Sequence, residues 1–360
     1  ENTLLVMLNK VRILVGAAVR QQQHVFDAYY TALRRLVAPR HCELSFCFVD
    51  DNEGALTWPD DCAVLPAPTR PTDAHYTVDN VTHRWFDSTF DHVARCKQLL
   101  LDHAVAEGFD YIFLVDSDLL CEPTTLLSLY SVKVPIVSAV FWTQWTPDQP
   151  ALPQCWLAHP YTLEGFGLNW PTYRRLLLQH RVVRVAGGGA CCLIKTSVLD
   201  KIRYHPRLQL PAEGLWRGED RTFAILARDA HVRQHADAWP HVFHAYSPAL
   251  RQADVLQAEW QALSAPRQLY AKVGDWVAIT LTPCEDAGLE KLMHNVPEVR
   301  CVRGRLGGLP IAQELQDALA DMAAGDRRVV NIAFDEGHAV YPEPCNKLVH
   351  MELVDVRPHS

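Results

Sequence analysis

The sequence has no long hydrophobic run and no excess of positive charge. Its longest apolar stretches, at 134–141 and 111–115, are far shorter than the roughly 20 residues that cross a bilayer, so we expect no transmembrane segment. No basic-then-apolar leader opens the chain, so no signal peptide is predicted. Acidic residues number 42 against 34 basic ones, for a formal net charge of −8. Because proteins that grip nucleic acid usually present a basic surface, this balance argues against a DNA or RNA substrate.

Cysteine pairs with the spacing of a zinc site are also absent. The 11 cysteines include no C-x-x-C pair, and most of them stand in apolar stretches, as Cys47, Cys96 and Cys191 do. We interpret them as buried, reduced thiols, which predicts a cytoplasmic protein.

Apolar strands and helices alternate over the first 141 residues. The predicted strands are 11–16, 44–50, 110–115 and 134–141, and the predicted helices are 24–37, 83–107 and a short one after Pro123. Residues 55–82 hold four prolines and are predicted to be loop. Near-continuous apolar strands separated by helices predict an α/β fold, with a mostly parallel sheet covered by helices on both faces.

The remaining chain divides into an irregular excursion, the end of the sheet and a second domain. Residues 142–181 are rich in Trp, Pro and Tyr and have no clean period. Further strands are predicted at 182–186, 190–195 and 231–236, and helices at 196–203, 219–229 and 248–264. Strand-like runs at 275–282, 298–303, 328–334 and 348–356, with a helix near 311–324, predict a small α+β domain. The predicted division is therefore a domain over 1–265 and a smaller one over 272–360.

An acidic triplet follows the third predicted strand directly. Asp116 and Asp118 stand two residues apart around Ser117, and two such carboxylates repel each other unless a cation lies between them. Mg²⁺ and Mn²⁺ take oxygen ligands and keep open positions for phosphate oxygens. A solvated turn at the end of the strand is the plainer alternative. A phosphatase of the haloacid-dehalogenase type is disfavoured, because Leu120 stands where that motif has Thr or Val.

Several short motifs, taken in order, resemble those of GT-A glycosyltransferases, especially family-2-like ones, from about residue 11 to 250. The motifs are Ile13-Leu14-Val15-Gly16 before a polar loop ending at Arg20, Phe48-Val49-Asp50-Asp51-Asn52, Asp116-Ser117-Asp118, Gly187-Gly188-Gly189-Ala190-Cys191, Gly218-Glu219-Asp220 and a His at 241 or 244. The resemblance implies a GT-A fold, which is Rossmann-like, and sugar transfer from a nucleoside-diphosphate sugar, with UDP favoured, to an acceptor hydroxyl of a saccharide or other molecule.

The resemblance also implies where the donor would bind. The loop after the first strand, Asp50 or Asp51, and Arg95 would lie against the nucleotide, and the glycines would line the donor sugar pocket. A turn after the strand is the alternative for the two aspartates and for the glycines, and a solvated position on its helix is the alternative for Arg95. The residues so assigned are Ala17, Val19, Arg20, Asp50, Asp51, Arg95, Asp116, Ser117, Gly188, Gly189 and Trp216. Trp216 would stack on a sugar face, although a core position suits a tryptophan equally well.

The metal and the base are assigned on the same resemblance. Asp118 would be the main ligand of Mn²⁺ or Mg²⁺, Asp116 would contact ribose or reach the metal through water, and His244 would complete the set, with His241 as the alternative. Asp220 would act as the general base of an inverting displacement, and Glu219 would assist it or orient the acceptor. An acidic helix N-terminus favoured by the helix dipole is the alternative for these two acids.

Three other functions stay open from the residues alone. A nucleotidyltransferase shares such a sheet and metal site, but Gln21-Gln22-Gln23 does not supply its usual phosphate loop. A sugar-nucleotide binding module on a disabled scaffold is the second, and a transferase whose acceptor is a base in DNA is the third. The sequence does not indicate the donor sugar, the acceptor or the role of the second domain.

Overall fold

The computed structural model describes residues 10–39, 42–78, 83–147, 150–156, 182–204, 218–265, 276–283, 300–305, 319, 322, 327–334 and 345–357. The chain forms two compact units, Glu1–Ser264 and Ala265–Ser360. No helix in the described ranges is long and apolar enough to span a membrane.

An 8-stranded sheet forms the centre of the first unit. In spatial order its strands are β12 (Val182–Val185), β15 (Gln234–Asp237), β8 (Ile136–Ala139), β14 (Cys191–Lys195), β6 (Tyr111–Val115), β1 (Val11–Val19), β2 (Cys42–Asp50) and β3 (Cys62–Pro66). All neighbouring pairs are parallel except those made by β12 and β14. The predicted mostly parallel α/β sheet is therefore confirmed.

Five α-helices are described in this unit, and they cover both faces of the sheet. They are α1 (Gln23–Arg34), α2 (Asp87–Ala106), α3 (Thr125–Ser131), α4 (Glu219–Asp229) and α5 (Ala253–Ser264). Alternation along β1 explains the two faces, because Ile13 and Val15 pack with Phe26 of α1 while Leu14 packs with Leu100 of α2. Two separate buried clusters follow, one on each face.

Small strand pairs lie around the sheet. The remaining strands are β4 (Tyr76–Val78), β5 (His83–Trp85), β7 (Leu119–Cys121), β9 (Trp142–Thr143), β10 (Leu152–Pro153), β11 (Cys155–Trp156), β13 (Gly187–Gly188) and β16 (Val242–His244). They form four antiparallel pairs: β4 with β5, β7 with β16, β9 with β10, and β11 with β13. The pair of β7 with β16 matters for the site, because β7 directly follows the acidic triplet and the pairing brings the distant segment Val242–His244 beside it.

The structure differs from the sequence prediction mainly at element ends. β1 continues to Val19 because Ala17-Ala18-Val19 stay apolar and pair with β2. Strands β3 and β4 occupy part of the predicted loop 55–82, and α2 begins at Asp87 because 83–85 form β5. Of the helix predicted at 196–203, only a 3₁₀ turn at Thr196–Val198 forms. Most of the predicted helix 311–324 and most of the excursion 142–181 lie outside the described residues.

The second unit contains a 4-stranded antiparallel sheet. Its order is β18 (Arg300–Arg305), β17 (Trp276–Pro283), β20 (Cys345–Arg357) and β19 (Arg327–Phe334). These strands match the four runs of β-branched and apolar residues found in the sequence.

Candidate active site

The carboxyl ends of the central parallel strands bring the polar residues together. Strand β1 has β2 on one side and β6 on the other, so the chain order reverses beside β1. Ligands of open α/β sheets bind at such a reversal, beyond the carboxyl ends of the strands. Arg20 follows β1, Asp50 ends β2 with Asp51 directly after it, and the triplet from Asp116 follows β6. All therefore lie at the edge of the sheet where a ligand is expected.

Asp118 and His244 face each other in this edge. In the β7–β16 pair His244 is opposite Leu119, and the Ala245 amide donates to the Asp118 carbonyl at 2.8 Å. The backbone thus fixes the distance of 3.5 Å between His244 Nε2 and Asp118 Oδ2. Thr143 Oγ1 lies 2.8 Å from His244 Nδ1, which orients the ring with Nε2 toward the carboxylate. By contrast, His241 is exposed, and its carbonyl accepts a hydrogen bond from the Glu122 amide.

A basic side chain also contacts the same carboxylate. Arg251 Nη2 lies 3.2 Å from Asp118 Oδ2, and Arg251 Nε donates to the Ala245 carbonyl at 2.8 Å. The guanidinium therefore supplies positive charge at the place where the sequence predicts a metal ion.

Lys97 of α2 stands among three carboxylates, and we call this group the Lys97 cluster. Its Nζ lies 2.8 Å from Glu219 Oε1, 3.0 Å from Asp220 Oδ1 and 3.3 Å from Asp116 Oδ1. The lysine side chain is 3% exposed, against 20% for Asp220 and 35% for Asp116. The ammonium is therefore at the bottom of the group, and two of its acids open toward solvent.

Electrostatic interactions keep Lys97 charged, and the pKa values of two of the acids around it are raised. Burial acts to lower the pKa of Lys97, yet Asp116, Asp220 and Glu219 together hold it well above its usual value. Burial raises the pKa of Asp116 to about 8, Lys97 opposes the rise, and the charges of Asp220, Asp118 and Glu219 add to it. Burial likewise raises the pKa of Glu219. One ammonium does not neutralise this many carboxylates, so a proton or a further cation would relieve the repulsion among them.

Asp51 belongs to a second, separate network. Its carboxylate accepts from His92 Nε2 at 2.7 Å and is paired with Arg70, and Arg20 Nη1 donates to its carbonyl at 3.1 Å. Burial alone would raise the pKa of Asp51, but the hydrogen bonds from His92 and Arg70 hold it below its usual value. Asp50 instead closes its own turn, accepting from the Asn52 amide at 3.1 Å and from Asn52 Nδ2 at 2.7 Å.

The Asp51 network predicts a pH-dependent contribution to stability. Because the pKa of Asp51 is lower folded than unfolded, its contribution is present above the unfolded value and is lost as pH falls through the folded value. Replacing Asp51 with Asn should lower the free energy of unfolding by about 2 kcal/mol at pH 7, since the half-buried Arg70 loses its charged partner.

Urea unfolding of wild type and D51N at pH 7 and pH 3 measures this effect. The difference between the two proteins should shrink at pH 3. The exposed Asp61, which pairs with Arg34, is the control: D61N should change the free energy by about 1 kcal/mol or less. A D51N penalty that is equal at both pH values would contradict the assignment.

Asp51, His92 and Cys96 could also hold a metal ion together. Their ligand atoms all lie within 4.8 Å of one another, and all three residues are buried. Arg70 already contacts the carboxylate, so it would compete with an ion for that ligand. His92 Nε2 also faces both Asp51 and Cys96, at 2.7 and 3.6 Å. We therefore interpret the group as a hydrogen-bonded network that supports the end of β2.

The residues predicted to touch the nucleotide separate into two kinds. Ala17 and Val19 lie within β1, with 3% and 0% of their surface exposed, so any ligand contact would come from their backbone. Arg20 and Asp50 lie at the open edge and are half-buried. Ser117 is 6% exposed, and its hydroxyl accepts from Gln21 Nε2 at 3.1 Å, which links the ends of β1 and β6.

The predicted glycines pack closely rather than forming a free loop. Gly188 belongs to β13 and pairs with Cys155, and a Cβ on it would meet the Ser138 side chain at 2.6 Å. A Cβ on Gly189 would meet the Phe141 ring at 3.0 Å. The absence of a side chain at these positions is thus required by packing against Ser138 of β8 and against the Phe141 ring. Trp216 lies outside the described residues.

Sequence reasoning missed the basic partners of the acids. It assigned Arg95 of α2 to the nucleotide, and the residue of this helix that contacts the acids is Lys97. Tyr204, Arg70, His92 and Arg251 were not singled out either. The one signal available was that Lys97 falls on the buried face of α2 with Leu100, Leu101 and Ala104.

No protein-family model matches the sequence, and no curated protein matches it. The solved structures similar to this chain include GalNAc-T7 with UDP, GalNAc and Mn²⁺, at 10% identity and a TM-score of 0.41, over 66% of this chain and 44% of that one. They include S. aureus TarS, at 13% identity and a TM-score of 0.34, over 63% of this chain and 35% of that one.

A third similar structure is a mycobacterial protein, at 11% identity and a TM-score of 0.34, over 82% of this chain and 84% of that one. The chain spans less than half the length of the first two structures. Similarities at this level assign no family and no activity.

Proposed function

We propose that this chain is a metal-dependent glycosyltransferase of the GT-A type. It would move a sugar from a nucleoside-diphosphate sugar, with UDP favoured, to an acceptor hydroxyl. The observation that carries the proposal is the meeting of two sequence-distant acidic segments and a histidine at one sheet edge: Lys97 joins Asp116 to Glu219 and Asp220, and Asp118 lies beside His244. Residues 1–265 would form the transferase domain, and 272–360 a separate α+β domain.

Asp118 and His244 fit a divalent cation such as Mn²⁺ or Mg²⁺. Carboxylate oxygen and imidazole nitrogen are donors that Mn²⁺ accepts, and Thr143 already holds the imidazole with Nε2 directed at Asp118. Arg251 contacts the same oxygen, so it would have to release Asp118 or share it. Asp116 would contact ribose or reach the ion through water. When bound, the cation neutralises the charge that develops on the leaving diphosphate.

The chain's own acids supply the proton chemistry. As the acceptor oxygen bonds to the anomeric carbon, the bond from that carbon to the diphosphate oxygen breaks, and the acceptor proton passes to Asp220. The attack comes from the face opposite the leaving group, so the anomeric configuration inverts. Asp220 suits this role because its side chain is 20% exposed, whereas that of its neighbour Glu219 is 7% exposed.

The ends of β1 and β2 would form the nucleotide side of the site. Arg20, Asp50 and Asp51 line this edge, and the buried Asp51 network holds Arg70 close to it. Gly188, Gly189 and Trp216 would border the donor sugar. The acidic net charge favours a saccharide or small-molecule acceptor over nucleic acid. The buried free thiols accord with the cytoplasmic location expected from the sequence.

A nucleotide-binding panel tests the donor assignment. Uridine diphosphate with Mn²⁺ should raise the melting temperature more than either alone, because ligand at one hundred times its Kd adds about 2.7 kcal/mol to the folded state. Guanosine and adenosine diphosphates serve as base controls. Equal shifts with and without Mn²⁺ would contradict metal-assisted binding.

Product analysis separates the competing functions. Free nucleoside diphosphate formed from a sugar nucleotide supports glycosyl transfer, whereas pyrophosphate formed from a nucleoside triphosphate would indicate nucleotidyl transfer. Binding of the sugar nucleotide with no turnover of any tested acceptor would indicate a non-catalytic binding module.

A further inference from the structure

We propose that Tyr204 and Lys97 are positioning residues that hold one oxygen of Asp220 so that the other faces the acceptor. This inference rests on the proposed function, in which Asp220 is the base. It extends that function to two residues outside the acidic motifs, one of them in the segment just before the undescribed residues 205–217.

Both contacts to Asp220 fall on the same atom. Tyr204 donates its hydroxyl to Asp220 Oδ1 at 3.1 Å, and Lys97 Nζ donates to the same oxygen at 3.0 Å. Among the described residues, Asp220 Oδ2 receives no hydrogen bond from a side chain. Two donors from different elements therefore fix the rotation of the carboxylate and leave one oxygen to take a proton.

Tyr204 is held rigidly enough to act as such a donor. Its ring is 3% exposed and stacks on Phe223 of α4, with 4.6 Å between the ring centroids. Its backbone amide donates to Gln98 Oε1 of α2 at 2.8 Å. Burial and the nearby Asp220 raise the pKa of Tyr204 well above its usual value, so the hydroxyl keeps its proton and remains a donor. The tyrosine thus connects α2, α4 and the base.

Lys97 alone would not orient Asp220. Its ammonium is shared with Glu219 and Asp116, and a point charge attracts either oxygen of a carboxylate without preference. The hydroxyl of Tyr204 is a second donor, from a different direction, and the two donors together select Oδ1. Removing it should leave charge and packing in place but let the carboxylate rotate, and small misplacements of catalytic groups can cost up to about 10²-fold in rate.

The test compares Y204F with wild type in steady-state sugar transfer. Phenylalanine keeps the stacked ring and removes only the hydroxyl. We expect kcat to fall roughly 10- to 100-fold while KM for the donor and the melting-temperature shift with uridine diphosphate and Mn²⁺ stay at wild-type values. The matched control is Y30F. Tyr30 lies on α1, and this change removes a hydroxyl bonded to Asp61, so it should leave kcat unchanged.

A double-mutant cycle with D220N distinguishes positioning from a structural role. If Tyr204 acts through Asp220, the Y204F change should have no further effect on the residual rate of D220N. An equal loss of kcat in both backgrounds, or a Y204F kcat equal to wild type, would overturn the inference while leaving the proposed function intact. Absence of transfer by the wild-type chain with every sugar nucleotide tested would instead overturn the proposed function, and this inference with it.

Discussion

Replacing Asp220 with Asn is expected to lower kcat for sugar transfer by about 10²- to 10⁴-fold, the usual contribution of a general base. The amide keeps the size of the carboxylate and can still accept from Lys97 and Tyr204 through its oxygen. It cannot take the acceptor proton, so only the proton-transfer step is removed. Donor binding should stay unchanged, because Asp220 touches neither Asp118 nor His244 in the described contacts.

The stability of D220N should match or exceed that of wild type. Asp220 shares one ammonium with Glu219 and Asp116, so its removal relieves repulsion among the acids and still leaves Lys97 paired. Active sites commonly hold such costly charge groupings for the sake of function. A drop in kcat together with an unchanged or higher melting temperature would therefore locate the effect in chemistry and not in folding.

Asp229 provides the matched control on the same helix. It lies at the other end of α4, is 52% exposed and pairs with Arg228, so D229N makes the same substitution away from the site. Its kcat should equal that of wild type. If D220N transfers sugar near the wild-type rate, Asp220 is not the base, and a retaining mechanism becomes the alternative; the anomeric configuration of the product, measured by NMR, decides between them.

More of the fold than of the candidate site could be predicted from the sequence. Apolar runs such as 111–115 have the length of a strand. Because they are apolar on both faces, they are expected in a sheet that is covered on both sides. Alternation of strands with helices then determines the parallel sheet. The ends of β1 and α2 were misplaced because apolar residues continue past Gly16, and because residues 83–85 pair as a strand with β4 before the helix starts.

The site's acids were visible because motif order marks them, but their partners were not. Lys97 contacts acids that lie 19 to 123 positions away in the chain, and no local sequence pattern indicates such a contact. Its position on the apolar face of α2 was the only indication, since a lysine there must either be paired or leave the core. Tyr204 and Arg251 have no comparable pattern, because a single tyrosine or arginine between regular elements does not indicate which distant residue it contacts.

Replacing Asp118 with Ala should abolish the Mn²⁺-dependent part of nucleotide binding and reduce transfer by orders of magnitude. Asp118 is the carboxylate nearest to His244, and its loss leaves the imidazole without the oxygen ligand that a hard cation requires. Isothermal titration of uridine diphosphate, with and without Mn²⁺, measures the effect. The substitution also removes a partner of Arg251, so D118N, which keeps a hydrogen-bond acceptor there, is measured beside it.

A graded series makes this assignment specific to one ion position. H244A removes a proposed ligand and should weaken the Mn²⁺ dependence strongly. T143V keeps the shape of the side chain and removes only the hydroxyl that orients His244, which should cost about 10- to 100-fold in metal affinity. H241A removes an exposed histidine at the start of the same segment and should bind Mn²⁺ as wild type does.

If H241A loses the dependence while H244A retains it, the cation lies on the other side of β16. If D118A retains full Mn²⁺-dependent binding, the cation is held elsewhere, and the role of the acidic triplet in this chain reduces to a charged turn after β6.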